Sequence, residues 1–339
     1  MLHALACIQP DVMNLSARDV VLPAVPMFHV NAWGLPYSAL MVGAKLVLPG
    51  PNLDGASLHR LCDDEGVTLS AGVPTVWLGF RQHLQKTRSK PSTLKRVLVG
   101  GSACPPSLMQ AFDDEYGVSI LHLWGMTELS PVGTVNTLKL KHQDLPDAQR
   151  HDLLTKQGRP PFGIELKIVN DAGESLPTDG QAAGDLLVRG HWVLDRYYES
   201  DHSPLRDGWF PTGDVANIDP DGYLLITDRS KDIIKSGGEW ISSIELENIA
   251  MSHPAIAEAA AIGVRHPKWD ERPLIVAVRK PGAEATREDI LAHYAGKIAK
   301  WSVPDDVVFV DELPHTATGK LSKLQLRQKL SEYRLPDSR

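Results

Sequence analysis

From Met1 to about Pro131, short β-prone runs alternate with helical stretches, and that alternation leaves few architectures open. Val20-Val21-Leu22-Pro23, Lys45-Leu46-Val47-Leu48, Val67-Thr68-Leu69, Arg96-Val97-Leu98-Val99 and Val118-Ser119-Ile120-Leu121 read as strands. Between them lie amphipathic patterns, one of which sets Leu108, Met109, Phe112 and Tyr116 on a single face. A layered α/β domain with a largely parallel sheet follows. Ligands of such sheets gather at the carboxyl ends of the strands. Residues 139 to 160 are charged and poor in apolar side chains, which predicts an exposed helix and loop. From Phe162 to Asp228 strands are broken by Gly, Pro and Asp, as in Gly163–Val169 and Asp185–Arg189, the texture of a small β-rich subdomain.

After Asp232 a further α+β unit begins. Ser242 and Glu245 have capping-box spacing, with Ile241 and Leu246 placed as a hydrophobic staple. Strands are expected near Ala259–Val264 and Leu274–Val278, then a helix after Thr286 carrying Ile290, Leu291, Tyr294 and Ile298. The expected division is a large α/β domain over 1–134, a β-rich subdomain over 135–228, a hinge at 229–232 and a mobile α+β domain over 233–339.

A net charge of -7 argues against a nucleic-acid partner, whose phosphates demand concentrated Lys and Arg. Any anionic ligand must be held locally, by backbone N–H groups and a few cations. Cys7, Cys62 and Cys104 are an odd, unclustered set, which points to a reducing, cytoplasmic-type setting and to neither a disulfide framework nor a zinc site. The opening MLHALACIQP has no basic leader and too short an apolar run for a signal segment or a membrane span; it reads like the middle of a helix.

Thr212 to Ser243 is the most informative stretch: an acidic Thr212-Gly213-Asp214 turn, a hairpin turning at Asp221-Gly222, the charged run Asp228-Arg229-Ser230-Lys231-Asp232, then Gly237-Gly238 before a helix start. Each piece alone has a bland reading. In this order they resemble the hinge of the adenylate-forming superfamily of acyl-CoA synthetases, luciferases and peptide-synthetase adenylation domains. Leu123-Trp124-Gly125-Met126-Thr127-Glu128 is similar to the family's aromatic-Gly-x-Thr-Glu signature. Leu313-Pro314-His315-Thr316-Ala317-Thr318-Gly319-Lys320 resembles its closing Pro-x-Thr-x-x-Gly-Lys loop.

The resemblance implies ATP, Mg²⁺ and CoA as reactants or cofactors, with a small carboxylic acid as the variable substrate. It implies that Trp124 lies against adenine, Thr127 bonds the α-phosphate and Glu128 ligates Mg²⁺. Asp214 and Arg229 would hold the ribose, with the turn Gly100-Gly101-Ser102-Ala103 beside adenine and the acyl group. Lys320 would bridge the carboxylate and the α-phosphate. Rotation at Lys231 would then withdraw Lys320 and bring Gly237 and Gly238, flanked by Lys235, Glu239 and Trp240, to the wall of a CoA tunnel. His29, in Pro26-Met27-Phe28-His29-Val30-Asn31-Ala32-Trp33-Gly34, matches a segment lining the acyl pocket, for which Trp33, Gly100, Trp124 and Pro131 are also candidates. Two indoles would narrow that pocket in favour of short or medium chains. The run most resembles medium-chain fatty acyl-CoA synthetases and 3-methylmercaptopropionyl-CoA ligases.

Family members carry a Ser/Thr/Gly-rich phosphate loop ending in Lys upstream of the PMFH segment, and the residues before Pro26 contain no such stretch. Met1 is therefore expected to fall inside a large domain that is partial in this chain. Three readings compete: an ATP-dependent acyl-CoA ligase, a remnant that binds nucleotide or CoA without turnover, and an adenylation enzyme that loads a carrier protein. A homodimer is left open.

Overall fold

The structure is a computed structural model that describes residues 1–316 and 320–336. The chain divides into two compact units, 1–212 with 216–226, and 213–215 with 227–339. Three sheets make up the α/β architecture.

The first sheet consists of β1 (Val20–Pro23), β2 (Lys45–Leu46), β3 (Leu69–Gly72), β4 (Arg96–Val99), β5 (Ser119–Gly125) and β6 (Val132–Val135), in the order β2-β1-β3-β4-β5-β6. All neighbours are parallel except β5 and β6. Its central strands are largely apolar because both faces are covered. Val97 and Val99 enter one core with Trp77, Phe80 and Phe112, while Leu98 enters the other with Val21, Leu69 and Leu123. The helix Pro106–Tyr116 buries Leu108, Met109 and Phe112 and ends at Gly117.

Three strands of this sheet differ in bounds from the sequence reading, among them β5, which runs on to Gly125 instead of stopping at Leu121. β2 stops at Leu46, since Pro49 has no N–H to extend the ladder and Leu48 is already exposed. β3 is assigned over Leu69–Gly72; Thr68 before it still bonds Val20 through its N–H, and its hydroxyl donates to the Asp19 carboxylate.

His122, on β5, is fully buried with both ring nitrogens used. Nδ1–H donates to the Thr155 carbonyl at 2.8 Å, and Nε2 accepts the Cys104 N–H at 3.3 Å. Burial pushes its pKa down to about 4.

The second sheet is β7 (Ile164–Val169), β8 (Gly184–Gly190), β9 (Phe210–Ile218) and β10 (Leu224–Arg229), in the order β10-β9-β8-β7. The division into units passes through β9 and β10. The Asp221-Gly222 turn joins them, with the Asp219 carboxylate accepting the N–H groups of Asp221 and Tyr223. The helix Asp147–Thr155 in the preceding charged segment buries no residue, as expected, although His142 and Gln157 beside it are buried polar anchors.

The third sheet is β11 (Ile234–Ser236), β12 (Glu239–Ile241), β13 (Ile256–His266), β14 (Asp270–Arg279) and β15 (Asp306–Phe309), with order β12-β11-β14-β13 and β15 beside β14. Alternate residues of β13 and β14 face separate cores, Ala259, Ala261, Ile275 and Ala277 on one side and Ala260, Ile262, Leu274 and Val276 on the other. The expected capping box at the helix Ser243–Met251 is only half formed. The Ser242 hydroxyl accepts the Glu245 N–H and donates to the Thr227 carbonyl, while the exposed Glu245 carboxylate does not return the bond. A complete box instead caps Arg287–His293, between Thr286 and Asp289. That helix ends before Ile298, which packs on the core from beyond it.

Candidate functional site

Three of the motif segments leave the carboxyl edge of the first sheet. PMFHVNAWG follows β1, Gly100–Ala103 follows β4, and Trp124–Glu128 ends β5. This is the edge where parallel α/β sheets take ligands.

After β1 the backbone turns the wrong way for L-residues. Val30, Asn31, Ala32 and Trp33 have φ of 47°, 51°, 51° and 58°, and Gly34 follows at 73°. A left-handed turn costs roughly 1–2 kcal/mol per non-Gly residue. Burial of Ala32 and Trp33, and bonds from the Gly34 N–H to Val30 and Asn31, offset that cost. Strain of this kind is retained where a backbone must present specific groups. His29 caps this turn.

At the end of β4, a Cβ on Gly100 would lie 2.5 Å from Leu123 Cδ1, so only glycine lets β5 pack there, and Gly101 takes φ +83°. Ser102 is exposed and Ala103 partly so. At the end of β5, Thr127 is exposed and Glu128 half-buried, in a short 3₁₀ turn Thr127–Leu129. The Glu128 carboxylate accepts the Tyr197 hydroxyl at 2.9 Å, and its carbonyl accepts the Leu194 N–H. Tyr197 was not anticipated; it reaches Glu128 from a distant turn, and only the Tyr197-Tyr198 pair in a polar loop marks it. The Trp124 indole is buried in the core of the β-rich sheet, where a Cβ on Gly133 would meet its ring at 2.4 Å.

A cleft of ≈ 520 Å³ opens beside these turns, lined among others by His3, Asn31, Tyr37, Thr127, Ser130 and Trp192. It unites the left-handed turn with the Thr127 turn. Trp33, Gly100 and Pro131 are buried behind it rather than among its lining residues.

The second unit holds the remaining charged residues. Arg229 Nε lies 2.8 Å from Asp214 Oδ1, and the Asp214 side chain is only 3 % exposed. Lys320 lies within the field of both: burial lowers its ammonium pKa first, Arg229 lowers it further, and Asp214 opposes them. Asp214, Arg229 and Lys320, far apart in sequence, thus form one electrostatic cluster with a carboxylate suited to a diol and two cations suited to a phosphate. The Lys320 backbone is clipped to Thr316, whose N–H donates to the Lys320 carbonyl at 2.7 Å and whose hydroxyl accepts the Lys320 N–H at 3.2 Å. Ala317, Thr318 and Gly319 of the same motif lie outside the described residues.

Gly237 and Gly238 form the two-residue turn between β11 and β12, both with positive φ (61° and 91°), the geometry of a type I′ hairpin. That turn by itself accounts for a glycine pair. A Cβ on Gly237 would strike the half-exposed Trp269 ring at 2.8 Å, whereas Gly238 faces open space. Lys231, Lys235, Glu239 and Trp240 are exposed around it.

A parallel sheet presenting these turns, a β-rich sheet and a separate α+β unit bearing Lys320 define a class. The chain belongs to the AMP-binding enzyme family, whose model matches residues 1–198 and whose C-terminal domain model matches residues 245–320. Among its relatives, a 3-methylmercaptopropionyl-CoA ligase of Ruegeria lacuscaerulensis is 58% identical over 333 residues, covering 98% of this chain and 62% of the relative. A medium-chain fatty-acid–CoA ligase of Ectopseudomonas oleovorans is 56% identical over 339 residues, covering 100% of this chain and 62% of the relative. The solved structure of the anthranilate CoA ligase AuaEII in complex with anthranoyl-AMP superposes with a TM-score of 0.85 at 26% identity, covering 97% of this chain and 62% of that one. The chain spans about 62% of the length of these relatives.

Proposed function

We propose that the protein is an ATP-dependent acid–thiol ligase that activates a short- or medium-chain carboxylic acid, or a 3-methylmercaptopropionate-like one, as its adenylate and passes the acyl group to CoA. In the first step a carboxylate oxygen attacks the α-phosphorus and pyrophosphate leaves. In the second the CoA sulfur attacks the acyl carbon, the thiol proton is lost, and AMP leaves with the oxygen it received.

Each residue has a place in that scheme. Lys320 neutralises the approach of two anions, Asp214 accepts the ribose hydroxyls, and Arg229 fixes that carboxylate while facing the same sugar. Thr127, exposed at the cleft, donates to the α-phosphate, and His29 and the Gly101-Ser102-Ala103 turn, which leave the same edge of the sheet, serve the same ligand. Trp124, its indole packed in the core, backs the adenine side, and Trp33, Gly100 and Pro131 back the acyl pocket. Lys231 is the joint, and Lys235, Gly237, Gly238, Glu239 and Trp240 border the CoA arm.

Glu128 fits Mg²⁺. Its carboxylate is oriented by Tyr197, and a single protein carboxylate suffices for an ion that keeps its waters and bridges to phosphates. When bound, the ion would withdraw charge from the leaving pyrophosphate.

No described helix is long and apolar enough to cross a membrane. The three cysteines are free and buried, which supports a reducing, cytoplasmic setting. The observation that carries the reading is the gathering of Lys320, Asp214 and Arg229 in one cluster. ATP–pyrophosphate exchange over a carboxylate panel tests it. Exchange is expected only with an acid present and to be fastest on short or medium chains. Acid-independent exchange would refute the activity, and best turnover on long chains would refute the substrate size.

A further inference from the structure

A buried polar chain runs from β10 to the segment carrying Lys320. Asp228 is fully buried; its carboxylate accepts the Ser243 N–H at 2.6 Å and the Ser243 hydroxyl at 2.9 Å. That hydroxyl accepts from Lys323 Nζ at 2.5 Å, and Lys323 Nζ also lies 2.7 Å from Glu247 Oε1. Glu247 in turn accepts the Ala261 N–H at 2.9 Å. The ammonium thus pairs with Glu247 directly and reaches Asp228 through the Ser243 hydroxyl, and burial raises the pKa of each carboxylate against the pull of Lys323.

The sequence positions of these groups give the network a direction. Lys323 opens the helix Lys323–Lys329, three residues after Lys320, and Arg327 on the same helix pairs with Asp232 at 2.7 Å. Ser243, Glu247 and Lys323 all follow the charged segment 229–232, whereas Asp228 immediately precedes it. Residues 228 and 229 are consecutive at the end of a strand, so their side chains leave on opposite sides. Arg229 goes out to Asp214, and Asp228 goes in to Ser243 and toward Lys323. Turning the chain at Lys231, ahead of Asp232, would leave the Lys323–Glu247 and Arg327–Asp232 pairs intact. It must, however, separate Asp228 from Ser243.

We infer that Asp228 is a positioning residue: its two bonds to Ser243, backed by Lys323, latch the hinge segment in the setting that keeps Lys320 beside Asp214 and Arg229. The inference rests on the proposed ligase reading, in which that setting serves adenylate formation and its release serves thioester formation. Asp228 touches no substrate; it acts by weighting one setting over the other.

The test compares Asp228→Ala, Asp228→Asn and Ser243→Ala with the unaltered full-length protein in two readouts. In the first, the two half-reactions are timed separately. Asp228→Ala is expected to lower the kcat of adenylate formation about tenfold with KM for ATP unchanged, while thioester formation from supplied acyl-adenylate holds or rises. Asp228→Asn, which keeps an acceptor for the Ser243 N–H, is expected to recover part of the loss. In the second readout, trypsin cleavage after Lys231 is expected to quicken several-fold in Asp228→Ala.

If Asp228→Ala fails to fold, Ser243→Ala removes one hydroxyl and keeps the backbone bond, and is expected to shift both readouts about threefold in the same direction. Equal loss in both half-reactions, or unchanged cleavage in a folded variant, overturns the latch. An unaltered protein that makes no adenylate would instead refute the ligase reading, and the cleavage rates would still judge the latch.

Discussion

Lys320→Ala is expected to slow acyl-adenylate formation by about 10²- to 10³-fold, the usual loss when one preorganised group is removed from developing charge. Thioester formation from supplied acyl-adenylate is expected to stay within about threefold of the unaltered rate, since the scheme has Lys320 withdrawn by then. The asymmetry comes from the cluster itself. Arg229 and Asp214 hold each other at 2.8 Å, so the ammonium nearby is the charge left to meet a second anion. Rapid-quench measurement of each half-reaction checks this. Equal loss in both would mean that the Lys320 side chain serves the fold rather than the chemistry.

Acidification is expected to destabilise the first unit through His122. Its folded pKa, about 4, lies below the ordinary imidazole value of 6.5, because burial disfavours the charged ring, whose Nε2 proton would also face the Cys104 N–H. As the pH falls below about 6.5 the unfolded chain takes up the proton and the folded one refuses it. The stabilisation is therefore complete above that pH and is lost as the pH approaches 4. The shift is worth about 3 kcal/mol. Denaturant midpoints at several pH values, for the unaltered protein and for His122→Gln, measure it. The variant is expected to show a flatter acid limb, and parallel limbs would contradict the assignment.

Much of this architecture was legible in the sequence because the physics is local. Arg96-Val97-Leu98-Val99 reads as a strand and is one, with its faces in two cores, and the DG turn at 221–222 announces its hairpin. What escaped is set at long range. Val30, Asn31, Ala32 and Trp33 carry no shared left-handed preference; tertiary burial of Trp33 and the permissive Gly34 impose it. Tyr197 orients Glu128 across 69 residues, which no periodicity records.

The charged run from Asp228 read as a solvated joint, yet its first residue is fully buried, because Ser243 and Lys323 arrive from elsewhere to satisfy it. The helix start expected from Ser242 and Glu245 was right in place and half right in chemistry. The complete box escaped because its third position is Asp289 rather than Glu or Gln.

At the heart of the proposed chemistry a carboxylate, not water and not a phosphate, attacks the α-phosphorus. Turnover of a carboxylic acid labelled in both oxygens with the heavy isotope, followed by mass analysis of the products, follows that attack atom by atom. One labelled oxygen in AMP and none in pyrophosphate is the expected outcome. Unlabelled AMP, or label in pyrophosphate or phosphate, would contradict it.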